Sequence, residues 1–156
     1  MAVTNFGNSL YGTGITITGL ASLASGSVAS SAQFANPLLG TASASYPTQC
    51  DLVFVMGATF TTGAGTPNLQ AVLLAGASGV GETGRVSSAQ LFPTFGVAQA
   101  NLIQSLGYTG TEWIVVKGIW VPSSPYLTLA VLNNTGTALP SSGMTATLYP
   151  YGGAAG

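Results

Sequence analysis

"EWIVVKGIWV", residues 112–121, is the densest β-forming stretch of the chain. Val, Ile and Trp dominate it, and β-branched and aromatic side chains fit a pleated, half-buried surface. Side chains alternate across a strand. Strict alternation puts Trp113, Val115, Lys117 and Ile119 on one face and Ile114, Val116, Gly118 and Trp120 on the other. Both faces are largely apolar, which predicts a central strand covered on both sides. Trp113, Trp120 or both are then expected in the core, pointing to opposite faces. Pro122 and Pro125 end the strand.

The stretches around it read the same way. Tyr126–Leu132 (YLTLAVL) follows directly, then the turn Asn133–Asn134–Thr135–Gly136 and a last strand over Met144–Tyr149. Upstream, Asp51–Thr59 (DLVFVMGAT) and Leu69–Ala75 are strands separated by the turn Gly63–Asn68. Leu91–Val97 is a strand interrupted by Pro93, and Gly76–Gly84 is a loop. Ile15–Thr18 alternates apolar and polar residues as a half-buried strand. In Leu20–Gln33 the serines and Gly26 compete with helical hydrogen bonding, so extended structure with turns is expected. Asn36–Pro37 and Tyr46–Pro47 bracket a loop. Seven to nine strands with turns between them predict an all-β fold, a single antiparallel β-sandwich. The expected organisation is a flexible N-terminal arm over 1–12, the sandwich over 13–151 and a C-terminal tail over 152–156.

Charge is nearly absent. Asp51, Glu82, Arg85, Glu112 and Lys117 are the only ionisable acids and bases apart from Cys and Tyr, about 3% of the chain, where about 25% is usual. The chain stays charge-free from Met1 to Cys50. At 47% apolar it is no disordered polar segment, and Ser, Thr, Gly, Asn and Gln are left to cover its surface. A net charge of −1 gives copies almost no mutual repulsion, which favours a subunit of a larger assembly. Two cations cannot make a phosphate footprint, so no nucleic-acid partner is expected. Met1–Ser9 has neither a basic region nor an apolar stretch, so no secretory leader is expected. No run of about 18 apolar residues exists, so no membrane helix is expected either. The lone thiol, Cys50, beside an apolar run, reads as a buried structural residue.

Several motifs invite chemistry and fail on their residues. Gly76–Thr83 (GASGVGET) matches a phosphate-cradling loop except that Glu82 replaces the lysine, and a carboxylate there repels phosphate. Gly79, Gly81 and Gly84 spell a dinucleotide-binding pattern without the strand–helix alternation it needs. Asn133–Asn134–Thr135 is a glycosylation sequon by pattern and a turn by context. Without His, nucleophilic catalysis lacks its usual base and a transition-metal site lacks ligands. No spacing pairs Asp51, Glu82 and Glu112. No catalytic, cofactor-binding or metal-binding residue is therefore expected, no cofactor, and no enzyme. Trp113, Trp120, Tyr126, Tyr149 and Tyr151 could form a sugar-binding platform, although core and interface packing is the commoner use of such residues.

The order of segments carries a resemblance. "TITGLASLASGSVASSA" (Thr16–Ala32), "GAGTP" (Gly63–Pro67) and "NNTGTALPSSG" (Asn133–Gly143), each leading into a strand, resemble small virion structural proteins of tailed bacteriophages. The resemblance covers about two-thirds of the chain and leaves out Gly76–Thr111. It implies a jelly-roll-like sandwich that decorates or stabilises the phage capsid by binding the major capsid protein lattice from the capsid exterior. It also implies self-association, with a trimer expected from the local three-fold symmetry of such shells. It brings no catalytic residues. Two alternatives stand beside it: a tail, neck or fibre-base subunit, and a carbohydrate-binding β-sandwich module.

Overall fold

A computed structural model describes residues 13–36, 49–76, 92, 96–108, 112–142 and 144–151. The described residues form strands and turns and contain no helix. The strands are β1 (Thr13–Ile15), β2 (Ile17–Thr18), β3 (Ser27–Ser31), β4 (Phe34–Ala35), β5 (Gln49–Val55), β6 (Phe60–Thr61), β7 (Asn68–Gly76), β8 (Ala98–Asn101), β9 (Gly107–Tyr108), β10 (Trp113–Trp120), β11 (Tyr126–Asn134) and β12 (Thr145–Tyr151). The expected arm over 1–12 and tail over 152–156 lie outside the described residues, as do residues 37–48 of the expected Asn36–Pro47 loop.

One sheet has the order β1–β12–β5–β10 and the other β2–β3–β11–β7–β8, with β4 also on β11, and every pairing is antiparallel. The pairs are nested: β1 with β12, β3 with β11, β5 with β10 and β7 with β8. The first strands of the chain therefore pair with the last, and pairing proceeds inward to β7 and β8. The two sheets face each other across one core. Leu52, Phe54, Val116 and Ile119 come from the first sheet, and Leu69, Leu127, Leu129 and Val131 from the second. A separate short pair, β6 with β9, stacks Phe60 on Tyr108 with ring centroids 5.5 Å apart.

The central strand is β11, with seven consecutive buried residues, Leu127–Asn133. The sequence-based expectation for β10 is corrected in two ways. β10 lies at the edge of its sheet, and its alternation breaks. Val116 pairs with Leu52 but Ile119 pairs with Cys50, so one extra residue bulges out of β10. Gly118 adopts φ +73° there, a left-handed conformation that glycine adopts without steric cost. Its N–H donates to Asp51 Oδ1 at 3.0 Å. The bulge resets the phase: Ile114, Val116 and Ile119 turn inward, while Trp113, Lys117 and Trp120 are all exposed. Neither tryptophan is in the core.

Three smaller differences have physical causes. Ile15 and Ile17 do not share a strand: the chain crosses from one sheet to the other at Thr16, and both isoleucines still meet the same core. Of the expected strand over Leu91–Val97, Leu91 and residues 93–95 lie outside the described residues; Phe92, Gly96 and Val97 are not in a strand, and β8 starts at Ala98, after Gly96 turns the chain at φ +72°. Asp51–Thr59 shifts to Gln49–Val55 because its pairing partners Trp113 and Trp120 fix those ends.

Candidate functional site

Polar groups at one end of the sandwich serve structure. Asn133 is fully buried. Its Nδ2 donates to Leu23 O and Thr137 O, both at 2.8 Å. Its Oδ1 accepts from Thr135 N at 3.0 Å and Thr135 Oγ1 at 2.7 Å. That uses the full bonding capacity of the amide, so Asn133 of the sequon is a buried structural residue; Asn133 and the exposed Asn134 end β11, and the expected turn begins only at Thr135. The same turn meets Gly63, whose N–H donates to Thr135 O at 2.8 Å, and Ser25, whose Oγ accepts from Gly136 N–H at 3.0 Å. Three distant stretches thus converge here: Leu23 and Ser25, Gly63, and Asn133–Leu139.

Cys50 is buried, on the inner face of β5. Burial, and secondarily the Asp51 carboxylate, pushes its thiol up to about 12. It is a structural residue, not a nucleophile at neutral pH. Asp51 and Glu112 do not meet: Asp51 lies beside the Gly118 bulge, and Glu112 precedes the opposite end of β10. Glu82, Arg85 and the glycine-rich loop after Gly76 lie outside the described residues. Among the described residues no group of three metal-ligating side chains occurs, and no helix is long and apolar enough to cross a membrane.

The feature left unabsorbed by packing is the outer face of the four-stranded sheet. Registered neighbours in an antiparallel sheet point to the same side. Across this face run Trp120 with Gln49; Asp51 with Tyr149; Val115 with Val53 and Thr147; and Trp113 with Val55 and Thr145. Trp113 is 69% exposed, Trp120 42% and Tyr149 41%. Their partners on β5, Val55 and Gln49, are six positions apart, which sets the two residues about 20 Å apart along the strands. Among the described residues, Lys117 and the half-buried Asp51 are the charges on this face.

Of the five aromatics expected as one set, the fold brings together Trp113, Trp120 and Tyr149. Tyr126 belongs to β11 in the other sheet, and the side chain of Tyr151 lies outside the described ones. Sequence reasoning missed that both tryptophans share a face. The signal was Lys117–Gly118, a charge followed by a glycine inside an otherwise apolar strand, which marks a bulge.

Beside this face, a cleft of about 360 Å³ follows the free edge of β10 where it passes β8. Gln99 and Asn101 from β8, Tyr108 from β9, and Trp113 and Lys117 from β10 line it. Gln99 Nε2 donates to Asn101 Oδ1 at 2.7 Å, and Tyr108 Oη accepts from Ile103 N–H at 2.9 Å.

No family model matches the chain, nor does any curated protein or solved structure.

Proposed function

We propose that this protein is a virion structural subunit that decorates or stabilises the head of a tailed bacteriophage, binding the major capsid protein lattice on the capsid exterior and associating with itself, as a trimer. The observation that carries the reading is the outer face of the β1–β12–β5–β10 sheet, which leaves Trp113, Trp120 and Tyr149 exposed with few charges around them. Aromatic residues in a charge-poor setting characterise the centre of protein interfaces, and neutral surfaces meet without stranding unpaired charges. The nested strand pairing supports a jelly roll, and the resemblance to phage virion proteins supplies the context. The work is binding, not catalysis. Co-sedimentation with undecorated heads and with isolated tails tests it: pelleting with heads is expected, and pelleting with tails alone assigns the protein to the tail, neck or fibre base instead.

A second reading is favoured by the same exposed rings. Aromatic side chains on a flat sheet face suit stacking on pyranose rings, so a carbohydrate-binding module is the alternative.

A further inference from the structure

We propose that the cleft between β8 and β10 binds a short acidic saccharide. The inference rests on the carbohydrate-binding reading, gives it a site, and holds whether or not the protein is part of a virion.

The cleft has the required composition. Its volume of about 360 Å³ is at the small end of ligand pockets, which span about 300–1,000 Å³. The Trp113 ring is largely exposed beside it and presents a flat apolar surface, suited to the C–H face of a sugar ring. Gln99 and Asn101 are exposed amides on the opposite wall. Their mutual hydrogen bond uses one donor and one acceptor, leaving Gln99 Oε1 and Asn101 Nδ2 for sugar hydroxyls, which both donate and accept. Tyr108 is held by its hydroxyl and by stacking on Phe60, so this wall is preorganised.

Charge sets the class of sugar. Lys117 is exposed, lines the cleft and forms no ion pair among the described residues. No described carboxylate lines the cleft with it. An ammonium in the same cleft as a stacking ring and two amides selects a saccharide bearing a carboxylate, such as a uronic acid, over its neutral counterpart.

The test is calorimetric titration of the full chain with trigalacturonate and, separately, with its neutral methyl-esterified form. Saturable binding of trigalacturonate is expected, weakened at least about tenfold by Trp113→Ala. Lys117→Gln should remove the preference for the acid, lowering the affinity for trigalacturonate to that for the ester. Trp120→Ala and Tyr149→Ala, outside the cleft, test whether the sheet face holds the sugar instead. Equal affinity for acid and ester overturns the acidic assignment. Binding that depends on Trp120 and Tyr149 rather than Trp113 and Lys117 overturns the cleft and keeps a carbohydrate-binding protein. Absence of binding to either saccharide overturns the cleft proposal, and a glycan screen without hits then overturns the carbohydrate reading as well. Because Trp113 and Lys117 are exposed, loss of binding with unchanged melting reports on the site and not on folding.

Discussion

Gly63 and Gly136 approach each other backbone to backbone. A Cβ on Gly136 would sit 2.7 Å from Gly63 Cα, and one on Gly63 would sit 2.8 Å from Gly136 Cα. Gly136 also has φ +84°. Gly136→Ala therefore adds a left-handed backbone penalty of about 1–2 kcal/mol to a clash, and a loss of about 2–3 kcal/mol is expected in denaturant melts. Asn133→Ala leaves the buried Thr135 N–H without its partner, while Leu23 O keeps the Leu139 N–H and Thr137 O keeps Thr135 Oγ1, so a loss of about 1–3 kcal/mol is expected in denaturant melts. Cys50 makes a pH prediction. Its folded pKa lies above the ordinary value of 9.0, at about 12, so the folded chain holds this proton more tightly than the unfolded one. Its contribution to stability is complete below about pH 9 and is lost as pH rises towards about 12. Cys50→Ala should fall less steeply over that window in pH-dependent melts, and the native thiol should resist alkylation at neutral pH.

At the scale of elements, the bulge in β10 decides what the strand offers. Deleting Lys117 removes the extra residue, so plain alternation keeps Ile119 inward and Trp120 outward. Gly118→Ala, which keeps the bulge but puts a side chain on a backbone at φ +73°, should cost about 1–2 kcal/mol in denaturant melts. Trp113→Ala, on the exposed side, should change stability by no more than about 0.5 kcal/mol, while Phe54→Ala in the core should cost about 3–5 kcal/mol. If Trp113→Ala matches Phe54→Ala, the edge position of β10 is wrong. The bulge also marks how far the sequence could be read. Strand composition located β5, β7, β10, β11 and β12 within a few residues, because Val, Ile, Leu and aromatic runs between Pro and Gly are local signals. Which strand lies at the centre was not legible: β10 and β11 are both apolar on two faces, and only their non-local partners distinguish them. Of the candidate site, the aromatic residues were legible. Their gathering on one face depends on the bulge at Gly118, a signal inside β10 itself, and on the pairing of β12 with β5, which nothing near Tyr149 encodes.

At the scale of the whole molecule, the proposed capsid docking follows from neutrality and an aromatic sheet face, which favour contact by excluding water over Coulomb attraction. Interfaces of ordinary size bury about 1,200–2,000 Å², and a protein with net charge −1 has little attraction for salt to screen. Sedimentation equilibrium should therefore find the same oligomer at low and high ionic strength. The most direct measurement is co-sedimentation with undecorated phage heads, comparing the wild type with the double variant Trp120→Ala/Tyr149→Ala at low and high salt. Wild-type binding that is unchanged by salt, and abolished in a double variant that melts normally, is the predicted result. Binding lost at high salt, kept in full by the double variant, or absent from heads altogether would contradict a neutral aromatic face as the docking surface on a capsid.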